Sequence, residues 1–259
     1  MARPVLLKLG GSILTDKQAE RSFRRGVASR LCQEIAKAKV PTVVLHGAGS
    51  FGHPIVARSG IGTGSLDAGK AACVGETFAG LAELEGRLLT AASAAGLRPV
   101  PLPLHLGVRY DAQGNLSELP AGEITDLLAD GWTPILHGTL VRHPRVGWQV
   151  LGADRLMAEL APMLQPRLAL FASDVDGVYS ADPKSNPAAT LLPQVSRHLA
   201  GAGSSEGTGW DVTGRMEGKL AHALAVAEHC PTLIVNGLVR GRVLDALRGK
   251  PVTGTRITR

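Results

Sequence analysis

The sequence predicts an α/β fold with parallel strands, and three stretches predict it. Val5-Leu6-Leu7-Lys8-Leu9 is a short apolar run that ends in Gly10-Gly11-Ser12. Phe23 to Lys39 carries Val27, Leu31 and Ile35 at helical spacing. Thr42-Val43-Val44-Leu45 is a second, β-branched run, and it leads into His46-Gly47-Ala48-Gly49-Ser50-Phe51-Gly52-His53-Pro54. Strand, helix and strand in that order form a βαβ unit, so both glycine turns lie side by side at the carboxyl ends of parallel strands, where such folds bind ligands.

The second turn reads as an anion cradle, because its glycines leave backbone N–H groups bare just before a helix can start. Gly47, Gly49 and Gly52 match G-x-G-x-x-G, but a dinucleotide site needs a strand ending in an acidic residue about 20 residues later. Here Arg58 to Ser65 is a glycine-rich loop, and Asp67 follows that loop rather than an apolar run. What remains is a phosphate-sized site with His53 at its lip. Lys8, inside an apolar strand, is costly unless its ammonium reaches an anion or a carboxylate at the strand's end; a lysine snorkelling from an edge strand is the alternative. Lys17 brings a further cation close to the first turn.

With 259 residues the chain can bury a sizeable core as one large domain or two joined lobes. Hydrophobic residues make up 44% and aromatics only 3%, so that core is built from Ala, Leu and Val. A net charge of +6 points to an anionic partner. Scattered basic residues and few aromatics exclude nucleic acid and favour a small phosphorylated ligand. Three distant cysteines, Cys32, Cys73 and Cys230, form no C-x-x-C pair, which argues against zinc and against a disulfide framework. Neither a signal-peptide core nor a run of about 18 apolar residues occurs, so a cytoplasmic protein without a membrane partner is expected.

Further along, Asp67 to Ala95 reads as a long helix with Phe78, Leu81, Leu84 and Leu88 on one face, mostly core, with Phe78 and Leu81 also placed to line a pocket. Arg98–Leu102 is a strand, and Val108–Tyr110 with Leu116–Glu118 a hairpin, either flap or surface ornament. Ala121–Asp130 is a helix and Thr133–His137 a strand; Arg142 to Gln149 is a second hairpin, leading through Leu151 and Gly152 to a helix ending at Leu164. Gly152 presents that helix's N-terminus to an anion, and Asp154 reads equally well as a helix cap. After Gln165-Pro166, a strand at Leu168–Ala172 opens into Ser173-Asp174-Val175-Asp176-Gly177-Val178-Tyr179; each aspartate holds a metal or ribose, or simply shapes the turn. Gly201 to Gly209 is a candidate lid, and Lys219 lies in the first turns of the next helix, where only a nearby anion rewards a cation. Thr232–Asn236 is a strand, Val243–Leu247 a helix and Val252–Thr258 a closing strand.

Lys8-Leu-Gly-Gly-Ser12 with Lys17, His46-Gly-Ala-Gly-Ser-Phe-Gly-His53, Asp174-Val-Asp-Gly-Val-Tyr179, Asp182-Pro-Lys184 and Asp211-Val-Thr-Gly214 through Lys219 resemble the amino acid kinase superfamily. The S-F-G-H segment ending at His53 is most similar to its isopentenyl phosphate kinases. The resemblance implies a three-layer αβα sandwich around a mostly parallel central sheet. Residues 1–165 would bind the phosphate acceptor and residues 166–259 ATP, with Mg2+, in a homodimer. It implies that Lys8, Leu9, Gly10, Gly11, Ser12, Gly49 and Lys219 contact ATP, with Asp174, Tyr179 and Gly214 at the nucleotide. Ala48, Gly49, Gly52, His53 and Gly152 would hold the acceptor's phosphate, with Phe78 beside its tail. Lys8, Lys17, His53 and Lys219 would carry the chemistry, and no side chain is assigned to the metal. Ala48 stands where a glycine is usual and requires a negative φ; Arg215 replaces another. The implied reaction moves the ATP γ-phosphoryl group to isopentenyl phosphate. A sibling kinase resembling those for fosfomycin, or a nucleotide-binding regulator that lost its site lysines, are the alternatives.

Overall fold

The computed structural model describes residues 2–16, 18–62, 68–183, 186–197 and 215–259. Strands β1 (Val5–Leu9), β2 (Thr42–His46), β3 (Pro99–Pro101) and β4 (Thr133–His137) form one half of an eight-stranded sheet. The other half is β7 (Leu168–Ser173), β8 (Gln194–Ser196), β9 (Thr232–Asn236) and β10 (Thr255–Thr258), whereas β5 (Thr139–His143) and β6 (Gly147–Leu151) pair only with each other. The spatial order is β3, β4, β2, β1, β7, β9, β10, β8, with only β9 and β10 antiparallel. Residues on both sides of Gln165 share this sheet, for β1 pairs with β7 from Val5 opposite Leu168 to Leu9 opposite Ala172.

The described α-helices are α1 (Gly11–Leu14), α2 (Arg25–Ala38), α3 (His53–Ser59), α4 (Ala68–Ala94), α5 (Ala121–Ala129), α6 (Ala153–Leu164), α7 (Arg215–Ala227) and α8 (Arg242–Leu247), and Gly49–Phe51 and Leu104–Leu106 form short 3-10 turns. Period-two alternation assigns the two faces of the sheet. Val5, Leu7, Leu9, Val44 and Ile135 pack with α2, α4 and α8. Leu6, Leu45, Leu136 and Phe171 pack with α5, α6 and α7. The result is the expected helix, sheet and helix sandwich, with β1 at its centre.

Local chemistry explains most element ends. Lys39 closes α2 in the left-handed region at φ 56°, and Gln165 closes α6 at φ 42° before Pro166. The hairpin predicted at Val108–Glu118 shrinks to one antiparallel bridge, Tyr110 with Leu116. Two backbone bonds flank that bridge, Asp111 to Asn115 at 2.9 Å and Ser117 to Arg109 at 2.8 Å, and Asp111 Oδ1 takes the amides of Gln113 and Asn115 in the turn. This segment buries Tyr110, whose hydroxyl donates to the Val150 carbonyl at 3.2 Å. The second hairpin is longer than predicted, because Leu140, Val141 and Leu151 are buried at its root.

Candidate active site

Alternation along β1 decides where its charge goes. With Leu7 and Leu9 facing α2 and α4, Lys8 faces the layer of α6 and α7. It is 6% exposed on a central strand, so the edge-strand reading fails and a partner is required. Lys8 Nζ donates to Asp154 Oδ1 at 2.6 Å. Asp154 therefore is no helix cap: Gly152 occupies the N-cap position of α6 and no side chain caps it. The sequence carried half of this signal, a lysine that needs a carboxylate, but the pair is 146 residues apart.

Lys219 is held in the same manner. Ser173 ends β7 two residues beyond Phe171 and so faces α7, where its Oγ accepts from Lys219 Nζ at 2.8 Å. Ser12, at the start of α1, donates to Asp174 Oδ1 at 2.8 Å and ties the first glycine turn to the end of β7. Asp176 does other work, accepting from Asn236 Nδ2 at 3.1 Å and pairing with Arg242 of α8. Of the two aspartates after β7, one faces the site and the other fastens the turn.

The two glycine turns touch. A Cβ on Gly11 would lie 2.5 Å from the Gly49 nitrogen, and one on Gly47 would lie 2.8 Å from the Gly11 nitrogen. Thr15 joins them, donating to the Gly11 carbonyl at 2.7 Å and accepting the Ser50 amide at 3.0 Å. Gly49 has φ 52°, a region that disfavours side chains. Ala48 has φ −68°, the negative value its methyl requires. Gly11→Ala is thus expected to push the turns apart, lowering stability by about 1–3 kcal/mol in thermal unfolding and impairing turnover; a variant with wild-type melting and activity would contradict this contact.

Lys8, Gly10, Gly11, Ser12, Gly49, His53, Gly152, Asp174, Tyr179 and Lys219 line one cleft of about 960 Å3. Tyr110, Asp154, Arg155 and His222, which sequence reasoning missed, also line it. Arg155 donates to the Gly114 carbonyl at 2.7 Å and lies 4.9 Å above the Tyr110 ring, which fixes the rim. Burial lowers the His222 pKa against the pull of Asp154, leaving a neutral imidazole at pH 7. Burial and the Asp176 charge raise the Tyr179 phenol, which stays protonated.

Other predicted residues lie elsewhere. Leu9 is fully buried in the core beneath the turn, so only its main chain is available. Gly52 is buried against Ala48 and Leu81 rather than in the cleft wall. Phe78 does not reach the cleft either, because its ring packs on His105 at 4.8 Å and Trp148 at 5.4 Å. Lys17, Gly214 and the loop 201–209 fall outside the described residues.

A cleft with two anchored lysines, contiguous glycine turns and a carboxylate is built to hold phosphates against phosphates. Comparison with known proteins agrees. The amino acid kinase family model matches residues 3–236. An isopentenyl phosphate kinase of Methanothermobacter thermautotrophicus is 33% identical, with 98% of each chain covered. A solved isopentenyl phosphate kinase superposes with a TM-score of 0.85 at 30% identity, covering 98% of this chain and all of that one. Another, described as an isopentenyl phosphate kinase substrate complex, superposes with a TM-score of 0.81 at 27% identity, over 98% of this chain and 99% of the other. On its sequence, its sheet order and the contents of its cleft, this chain belongs to the amino acid kinase family.

Proposed function

We propose that this protein transfers the γ-phosphoryl group of ATP to isopentenyl phosphate, giving isopentenyl diphosphate and ADP. The observation that carries the reading is the convergence of Lys8, Lys219 and His53 on one cleft with two touching glycine turns. The relatives named above support the acceptor. The retained lysines weigh against a non-catalytic regulator.

A phosphate monoester has its second pKa near 6, so at neutral pH its oxygen is already a nucleophile and no general base is required. The obstacle is charge: two unit charges 4 Å apart repel by about 4 kcal/mol at an effective dielectric of 20. Lys8 and Lys219 offset this repulsion, and Asp154 and Ser173 hold them in position, so little reorganisation accompanies transfer. Lys17 is proposed as a third cation. Gly10, Gly11 and Ser12 hold ATP phosphates, with Leu9 contributing its main chain and Asp174, Tyr179 and Gly214 on the nucleotide side. His53 anchors the acceptor phosphate beside the Ala48 main chain, Gly49 and Gly152.

Among the described residues no group of three or more His, Cys, Asp or Glu could hold a metal ion. Asp174, already hydrogen-bonded to Ser12, suits Mg2+ carried in by phosphates, which needs only one or two protein carboxylates. Mg2+ would neutralise phosphate oxygens as a Lewis acid. We assign the acceptor to residues 1–165 and the nucleotide chiefly to 166–259, in a homodimer. Free Cys32, Cys73 and Cys230 suit a cytoplasmic setting, and no described helix is long and apolar enough to cross a membrane.

Incubation with ATP, Mg2+ and isopentenyl phosphate should release ADP and yield a diphosphate by phosphorus NMR. Preferential turnover of fosfomycin in a parallel reaction would transfer the assignment to that sibling. ATP binding in calorimetry without ADP release for either acceptor would establish the regulator instead.

A further inference from the structure

On the buried face of α2, among Ala28, Leu31 and Ile35, stands a carboxylate: Glu34 is only 5% exposed. Arg30, one turn earlier, donates to its Oε1 at 2.6 Å. Both side chains also reach the segment between β9 and α8. Glu34 Oε1 accepts the Gly241 amide at 2.9 Å and its Oε2 the Leu244 amide at 3.1 Å, while Arg30 Nη2 donates to the Gly237 carbonyl at 2.6 Å and the Leu238 carbonyl at 3.3 Å. A buried ion pair by itself adds little stability, because desolvation consumes most of the attraction. What this one supplies is placement, since it clamps residues 237–244 through main-chain groups at both ends of the segment.

The clamped segment lies directly behind one wall of the cleft. The Gly237 amide donates to the Ser173 carbonyl at 2.8 Å, at the end of β7. A Cβ on Gly237 would lie 2.7 Å from Ile13 Cδ1 and 3.1 Å from Ala172 Cβ, so the contact has no slack. Asn236 accepts the Leu238 amide on its Oδ1 at 2.9 Å and donates through Nδ2 to Asp176 Oδ1 at 3.1 Å. Arg242, the first residue of α8, pairs with that same Asp176 oxygen. Asp176 does not line the cleft, but Asp174, Val175, Gly177 and Tyr179 on either side of it do. Arg30, Glu34, Arg242 and Asp176 thus form a series of alternating charges from α2 to the turn that makes this wall.

Resting on the assignment of this wall to the nucleotide, we infer that Arg30, Glu34 and Arg242 are positioning residues that set ATP affinity through Asp176, from behind the cleft. Glu34→Gln keeps the size of the side chain but gives up its charge and one acceptor. The KM for ATP should then rise about tenfold, within the range by which residues remote from a ligand shift its binding, while the acceptor KM and kcat at saturating ATP hold. Arg242→Met should give the same split, and Arg242→Lys, which keeps a cation at Asp176, should recover most of it. Glu34→Gln combined with Arg242→Met should do little more than the larger single change, because both act through one segment. Melting temperatures are read alongside: a merely structural role lowers them and leaves the KM for ATP at its wild-type value. That result overturns the inference, as do equal rises in both KM values or additive effects in the double variant. Should Glu34→Gln not fold, Arg242→Met and Arg242→Lys carry the test alone. Asp174→Asn separates the two ways of failing. If it raises the KM for ATP and neither Glu34→Gln nor Arg242→Met does, the inference falls alone; if it leaves that KM unchanged, the assignment of the wall to the nucleotide falls and the inference with it.

Discussion

Lys8→Met is expected to lower kcat by about a thousandfold, the scale of removing one preorganised charge-stabilising donor from a shielded site. The effect is this large because alternation along β1 leaves Lys8 facing the cleft and Asp154 fixes its ammonium, so neighbouring water cannot reproduce its placement. Stability should respond separately. Asp154 retains 28% side-chain exposure, so losing its partner costs about 1–2 kcal/mol rather than the 3–5 of a fully buried pair. A double variant, Lys8→Met with Asp154→Leu, should recover the melting temperature without recovering turnover. Steady-state kinetics and thermal unfolding check both halves, and a Lys8→Met enzyme within tenfold of wild type would remove Lys8 from the mechanism.

His53→Ala should lower kcat/KM for the acceptor by about a hundredfold while ATP affinity in calorimetry stays at the wild-type value. His53 is the exposed first residue of α3, so truncation disturbs little packing, and the loss reports on binding of the acceptor phosphate. The main-chain contacts proposed for its neighbours Ala48 and Gly49 are left in place by this truncation. Equal loss of ATP affinity, or near-normal turnover, would refute an acceptor-side anchor.

Much of this architecture was legible because its causes are local. Apolar runs of five residues, helical spacing from Val27 to Ile35 and glycines at the ends of strands give β1, α2, β2 and their turns within a residue or two. The Ala48 requirement was equally local, a methyl that demands negative φ and has it. The hairpin after Val108 was legible too, but it is shorter than its alternation suggests, because the Asp111 side chain takes the amides of Gln113 and Asn115 in the turn. Phe78 was assigned to the substrate from its helical face, but a face specifies only which side of the helix is covered; Trp148 and His105, from other elements, decided what covers it.

By itself the sequence determined the strands, the crossover between the first two of them, the glycine turns and the need of Lys8 for a counter-charge, all consequences of sterics and desolvation within a few residues. Tertiary structure alone decided that Asp154 answers Lys8, that Ser173 holds Lys219, and that Asp174 faces the site while Asp176 fastens α8. Each of those pairings joins residues distant in the chain, and their partners follow from strand order and helix placement, which no local pattern encodes.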